Sequence, residues 1–260
     1  MDATVTPTRE QILAFCAEDP VERVFLEDVA RRGLGRFSAI EEAGGSLSAL
    51  CFAGANVVPS GRGCGAFAAA AAHDGTRMLI GEENAVGELW DAVRGRLPTP
   101  RNDRPGQPVY ALSEAPEAGE TGLRSAGLRD LDVLVPACAA AHYEEIGLDP
   151  LRRDPEGFRW RTRQQIEEGR SWIWLENGVI RFKAEASAWT PSAVQLQQVW
   201  ADPEARRHGY AKRALADLCR LLLGQTPTVC LFVRPENTPA LRLYDSVGMT
   251  RALTYRSLIF

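Results

Sequence analysis

The stretch from Val199 to Arg213, Val-Trp-Ala-Asp-Pro-Glu-Ala-Arg-Arg-His-Gly-Tyr-Ala-Lys-Arg, gathers the residue types that hold a phosphate. A strand-like run turns at Asp202-Pro203, a basic loop with Gly209 follows, and a helix begins near Ala211. The first turn of a helix carries unpaired backbone N–H groups and a partial positive charge, both suited to an anion. Gly209 and the small Ala211 let a ligand approach the backbone closely, and Arg206, Arg207 and Lys212 add countercharge. The same residues would equally make a basic loop capping a surface helix, and the stretch by itself does not separate the two readings.

A second glycine-rich turn, Gly61-Arg-Gly63-Cys-Gly-Ala66, fits the Gly-x-Gly-x-x-Ala spacing of a dinucleotide fingerprint, with Glu82 about twenty residues on. Three features oppose that reading. Pro59-Ser60 separates the strand from the first Gly, the following helix is short before Asp74-Gly75, and no second strand–helix–strand half follows.

The elements that must position these residues are legible from periodicity and punctuation. Pro98 to Gly122 is rich in Pro and Gly, with Val109 to Leu112 as one short strand inside it, and a boundary near residue 120 divides the chain into 1–120 and 121–260. In the first part, Arg9 to Glu18, Val21 to Arg31, Ala66 to His73 and Asn84 to Arg94 read as helices. Arg36 to Ile40, Leu47 to Val58 (broken by Gly54) and Arg77 to Ile80 read as strands.

In the second part, Leu131 to Tyr143 and Glu156 to Glu168 read as helices. Ser171 to Leu175 and Val179 to Ala186 form a hairpin around Asn177-Gly178, the favoured tight-turn pair. Strands at Ala193 to Ala201, Thr228 to Val233 and Thr250 to Phe260 enclose helices at Ala211 to Leu223 and Pro239 to Val247. The order is helices, an antiparallel meander, then strand–helix–strand–helix–strand, a mixed α/β architecture. Residues 45–112 read as a degenerate copy of the second part, without its Arg206 and Tyr244 counterparts.

Composition narrows the function classes. The 260 residues carry a formal net charge of −4, which disfavours a broad nucleic-acid grip. Of the 30 basic residues only Lys183 and Lys212 are Lys. The six cysteines form no Cys-x-x-Cys pair and read as buried apolar residues in a reducing compartment. The three histidines, His73, His142 and His208, show no zinc spacing, so no metal is expected. The N-terminus has no signal pattern and the longest apolar run, Ala66 to Ala72, is far too short for a membrane span, so a cytoplasmic protein without membrane contact is expected.

Arg206-x-x-Gly209-x-Ala211 resembles the pyrophosphate-binding Arg/Gln-x-x-Gly-x-Gly/Ala motif of the GNAT superfamily of acyl-CoA-dependent N-acyltransferases. After one further helix and strand, Asn237-Thr-Pro-Ala-Leu-Arg-Leu-Tyr244-Asp-Ser-Val-Gly-Met249 is similar to the superfamily's Asn-x-x-Ala-x-x-x-Tyr-x-x-x-Gly-Phe segment, with Met249 in place of Phe. Cys51 to Pro59, Val135 to Cys138, Glu144 to Gly147 and Phe182 to Glu185 extend the resemblance to a bacterial subgroup. In that subgroup a domain of uncharacterised function precedes the acyltransferase domain.

The resemblance implies a central mixed sheet flanked by helices over 121–260, preceded by a smaller degenerate GNAT-like domain over 1–120. It implies acetyl-CoA as acyl donor, without a metal, and an amine-bearing acceptor. Backbone groups of Val199, Trp200 and Ala201 would hold the pantetheine arm in a gap between two splayed strands. Arg206, Arg207, His208, Gly209, Tyr210, Ala211 and Lys212 would hold the pyrophosphate, Asn237 would contact the arm, and Tyr244 would protonate the departing thiolate. Glu185, at the end of a strand, is a candidate base. Glu144 and Glu145 join it as candidate acceptor-site residues, although each carboxylate would equally serve as a solvated group or an Arg partner. A fragment from residue 121 onward would, on this reading, keep cofactor binding. The alternatives are an acyl-CoA-binding sensor without catalysis and a dinucleotide-binding regulator using the Gly61 turn.

Overall fold

Capping and turn residues set the local structure of the computed structural model, which describes residues 4–260. In the first half, α1 (Arg9–Glu18) and α2 (Val24–Arg31) precede β1 (Arg36–Glu41), β2 (Leu47–Ala53) and β3 (Asn56–Gly61). Next come α3 (Ala68–Ala71), β4 (Met78–Glu82), α4 (Glu83–Val93) and β5 (Asn102–Leu112). In the second half, β6 (Arg124–Ser125), α5 (Leu131–Ile146), α6 (Pro150–Arg153) and α7 (Pro155–Glu167) lead to β7 (Ser171–Glu176), β8 (Val179–Trp189) and β9 (Val194–Ala201). The chain then passes through α8 (Tyr210–Leu223), β10 (Val229–Phe232), α9 (Thr238–Val247) and β11 (Thr250–Ile259).

Asn177 and Gly178 carry φ of 51° and 77° in the β7–β8 turn, the pair of positive values a tight hairpin demands. Asn237 caps α9 by accepting from the N–H of Ala240 at 3.3 Å, and Pro239 occupies its first turn.

Two expectations about strands need correction. Leu47 to Val58 is not one broken strand but the hairpin β2–β3, folded at Gly54-Ala55, where Gly54 N donates to Asn56 O at 3.2 Å. Apolar residues flank Gly54 on both sides because both strands are buried. The short strand expected at Val109 to Leu112 begins at Asn102 instead. Pro105 and Gly106 sit in a bulge between the pairs Tyr255↔Gln107 and Ser257↔Arg104, so the ladder asks no N–H of Pro105.

All strands join one sheet in the order β1-β2-β3-β4-β11-β5-β10-β9-β8-β7-β6. The two halves repeat one pattern. β1–β2–β3 is an antiparallel meander followed by the parallel pair β3–β4, and β7–β8–β9 is followed by the parallel pair β9–β10. Each half then passes its last strand to the other. β5 pairs with β10, β11 pairs with β4, and the two pair with each other at the centre. The cores follow suit: Tyr110 and Leu112 of β5 pack with Leu215 and Leu218 of α8, and Leu258 of β11 packs with Val86 and Leu89 of α4.

Polar ties reinforce the seam. Buried Asp28 of α2 receives Arg170 at 2.7 and 3.2 Å and the N–H of Trp189 at 3.3 Å. Tyr255 Oη donates to the carbonyl of Glu22 at 2.6 Å.

This pairing changes the expectation for a fragment. Residues 121–260 alone lack β5, and burial of Val109 and Leu112 is worth about 1.5–3 kcal/mol each before Tyr110 and the ladder are counted. That loss rivals a typical net stability of about 5–15 kcal/mol. Urea unfolding of the fragment, followed by circular dichroism, should show no cooperative transition, and co-expression with residues 1–120 should restore one. A cooperative transition for the isolated fragment would show that β5 is dispensable.

Candidate active site

The parallel strands β9 and β10 are in register only at Val194↔Val229 and Gln195↔Cys230, and beyond these pairs they diverge. On its other edge β9 carries a bulge. Lys183 faces Trp200 and Glu185 faces Gln197, so Gln198 and Val199 together oppose Ala184 alone. Gln198 takes φ of 51°, a costly conformation for a non-glycine residue. The bulge takes an extra residue out of the ladder and bends β9 away from its neighbour. A cavity of about 600 Å³ fills the gap, lined by Val199, Trp200, Val233, Asn237 and Tyr244 among others.

The basic loop closes one end of this gap. Arg207 and Gly209 adopt left-handed φ of 63° and 82°, and α8 starts at Tyr210 with no side chain capping its N-terminus. A Cβ built on Gly209 would meet no atom within 4 Å, so the space before the helix is open. Arg207, His208 and Lys212 are exposed around it. Ala211 lies in the first turn, half-buried against the core. Tyr210 contributes only backbone here, because its hydroxyl donates to Glu176 at 2.7 Å and its ring packs 4.6 Å from Trp174.

Arg206 is already engaged. Its Nη2 donates to both oxygens of Glu144, at 2.7 and 2.8 Å, and its Nε donates to the carbonyl of Ala201 at 3.1 Å. Trp200 Nε1 donates to the same Glu144 at 3.1 Å. Glu144 therefore faces the basic loop as an Arg partner, while Glu145 accepts from Gln198 Nε2 at 2.6 Å and lines the gap.

Tyr244 projects from α9 onto the same cavity, its ring 5.6 Å from that of Tyr110. Burial, then the negative charge of Glu145, pushes its pKa well above that of an ordinary phenol, so the hydroxyl stays protonated. Asn237, at the start of the same helix, lines the cavity too, with its Oδ1 spent on the cap.

A second cavity, about 540 Å³, adjoins the first and shares Glu145, Gln197, Gln198 and Phe232 with it. Its walls come from both halves: Phe25, Val58 and Ile80 from the first, Phe158, Glu185 and His142 from the second. Behind Glu185 lies a buried cluster. Lys183 Nζ donates to Glu185 Oε1 at 2.5 Å and to Cys138 Sγ at 3.2 Å, and Gln197 Nε2 donates to Glu185 Oε2 at 3.4 Å.

Burial would discharge Lys183, but Glu185 and Cys138 outweigh it and hold its pKa above the ordinary value. The same burial lifts the Cys138 thiol to about 12, so it is no nucleophile near neutral pH. Burial holds His142 below the usual histidine value, and its imidazole is neutral near pH 7.

Sequence reasoning missed Lys183, His142 and Gln197, and although the first half was expected to complete the acceptor groove, none of its wall residues was named. Lys183 carried a signal, since two residues before Glu185 on a strand places both on one face. The first-half glycine turn offers no comparable site. Cys64 N donates to Glu88 Oε2 at 2.8 Å, so an internal carboxylate takes the place an incoming phosphate would need. Among the described residues no helix is long and apolar enough to cross a membrane, and no three His, Cys, Asp or Glu side chains gather as a metal site requires. All six cysteines are buried and free.

Comparison with known proteins agrees with this geometry. Residues 139–249 match the family model described as Acetyltransferase (GNAT) family, and residues 35–134 match a domain of unknown function, DUF4081. No protein of curated function matches the sequence. A GCN5-related N-acetyltransferase from Sphaerobacter thermophilus superimposes with a TM-score of 0.60 at 17% identity, over 98% of this chain and 94% of that one. A GNAT-family acetyltransferase from Colwellia psychrerythraea gives 0.59 at 12% identity over 99% of each chain. A tandem GNAT protein from the clavulanic acid biosynthesis pathway gives 0.57 at 13% identity, over 99% of this chain and 98% of that one. At such identities the likeness is one of fold, and it runs through both halves. Residues 139–249 therefore form a GNAT-family acetyltransferase domain, and a DUF4081 domain at 35–134 stands ahead of it.

Proposed function

We propose that the protein is an acyl-CoA-dependent N-acyltransferase that moves an acetyl group to a primary amine by direct attack. The observation that carries this reading is the gap between β9 and β10. It ends in an open, uncapped helix N-terminus at Gly209 and has the protonated phenol of Tyr244 on its wall. A thioester with a phosphate-bearing handle fits both ends. The first four N–H groups of α8, with Arg207 and Lys212, would hold the pyrophosphate, and the backbone of Val199 to Ala201 would hold the arm. Arg206 joins only by exchanging Glu144 for phosphate, an affordable swap for an exposed ion pair.

The acceptor occupies the adjoining cavity. Glu185 and Glu145 attract its ammonium, and Glu185 with neutral His142 takes up the proton it must lose. The amine nitrogen then bonds to the thioester carbonyl carbon as the carbon–sulfur bond breaks. Tyr244 gives its proton to the sulfur and regains one from the second proton lost by nitrogen. The lysine-backed Glu185 favours an enzyme over a mere sensor, because a sensor needs no carboxylate in that cavity. We further propose that the first half is a degenerate copy that serves as the wall of the acceptor site.

Two variants test the two ends of the gap. Gly209→Glu puts a side chain into the open space and a non-glycine residue at positive φ, which costs about 1–2 kcal/mol. The variant should still fold, and calorimetry should detect no acetyl-CoA binding. Unchanged affinity in the folded variant would remove the phosphate assignment. Tyr244→Phe keeps the packing on Tyr110 and deletes the donor. General acid catalysis is worth about a hundredfold to ten-thousandfold, so kcat should fall at least about tenfold. The Kd for acetyl-CoA should stay within about threefold, a change worth less than about 0.7 kcal/mol. An unchanged kcat under chemistry-limited conditions would assign Tyr244 to packing.

A further inference from the structure

Among the described residues, two arginines that line the gap make no ion pair. Arg104, on the β5 segment before the bulge, and Arg234, just after β10, both line the larger cavity. Among the described residues neither makes a salt bridge or a side-chain hydrogen bond, although most half-buried arginines of this chain do, such as Arg23, Arg170 and Arg181. Arg104 Nε is fully buried and unsatisfied. A buried donor on a charged group without an acceptor is rare in native proteins and calls for a ligand.

The sheet register fixes the direction. Arg104 pairs with Ser257 and Gln107 with Tyr255, so all four side chains stand on one face of the sheet. Tyr255 lines the acceptor cavity, which makes this the acceptor face. Gln107 and Ser257 hydrogen-bond each other at 2.8 Å beneath Arg104 and line the same cavity. Burial, and then the charge of Arg234, lowers the pKa of Arg104, and Glu145 and Glu236 on the same cavity offset this only in part.

From this arrangement we infer that Arg104 and Arg234 form a carboxylate-binding subsite on the wall of the transfer cavity, so that one of the two reactants carries a carboxylate besides its reacting group. A guanidinium fork matches a carboxylate with two parallel hydrogen bonds, and a second guanidinium completes its charge. The carboxylate belongs either to the acceptor, as in an amino acid, or to the acyl group, as in a dicarboxylic acyl-CoA. The inference rests on the N-acyltransferase reading, and deepens it by naming the substrate class.

The test compares matched pairs on the full-length protein. Thiol release from acetyl-CoA is followed with leucine against 3-methylbutylamine and with phenylalanine against 2-phenylethylamine. Binding of succinyl-CoA is compared with that of acetyl-CoA. Charged hydrogen bonds of this kind set a preference of at least about tenfold for the carboxylate-bearing member in one arm or the other. A preference in the first arm assigns the carboxylate to the acceptor, and in the second arm to the acyl group. Arg104→Gln and Arg234→Gln, each shown folded by circular dichroism, should each erase the preference, and Arg104→Lys should restore part of it. No preference in either arm, or one that survives both Gln variants, overturns the subsite. A preference in acyl-CoA binding without turnover of any amine would uphold the subsite while defeating the N-acyltransferase reading.

Discussion

The exchange of β5 and β11 is the constraint on which the rest of the structure depends. Because each half completes its neighbour's sheet, the halves cannot slide or part without breaking a continuous ladder and two cores. The rigid seam fixes Phe25, Val58 and Ile80 opposite Glu185 and Phe158, and so turns an open groove into a walled cavity. It also carries Arg104 from the end of the first half onto the site of the second. Asp28 adds a buried ionic tie across the same seam, where removing one partner would strand a charge at a cost of about 3–5 kcal/mol.

The site divides its electrostatics by depth. Burial holds Tyr244 protonated on the wall of the gap, and Glu185 and Cys138 hold the buried Lys183 charged behind it. The phenol and the ammonium keep their protons for different reasons, desolvation for Tyr244 and the contacts to Glu185 at 2.5 Å and Cys138 at 3.2 Å for Lys183. At the exposed end, Glu144 pairs with Arg206, and the backbone N–H groups at the start of α8 have no side-chain cap. That division suits a ligand that must come and go, since exposed ion pairs are cheap to break.

What the sequence disclosed and what it hid follow from the range of the interactions. The basic loop before α8, the helix start at Pro239 and the Asn177-Gly178 turn are local chemistry, and each was legible as structure in a few adjacent residues. Tyr244 and Asn237 came through a resemblance whose motif is also local. The role of Glu144 was hidden because Arg206 lies sixty-two positions away along the chain. The strand exchange was hidden for the same reason: nothing in Val109 to Leu112 tells whether its partner is β4 or β10. The Pro105-Gly106 pair read as a loop because a bulge, which excuses proline from donating, exists only once β11 lies alongside. That the first half would complete the groove could be expected from the order of the domains, but its lining residues, Phe25, Val58 and Ile80, could not, since no single stretch of sequence contains them.

Glu88 in the first half behaves as a tethered ligand. Held on α4 with its Oε2 at 2.8 Å from the N–H of Cys64, it competes for that turn at an effective concentration set by geometry. Even flexible short tethers reach the millimolar range, and a side chain fixed on a helix exceeds them. An anion would have to displace that carboxylate to reach the Gly61 turn, whereas no side chain caps the backbone before α8. Duplicated scaffolds ordinarily pose the question of which copy binds. Here a single carboxylate, Glu88, fills one of the two turns and leaves the other open.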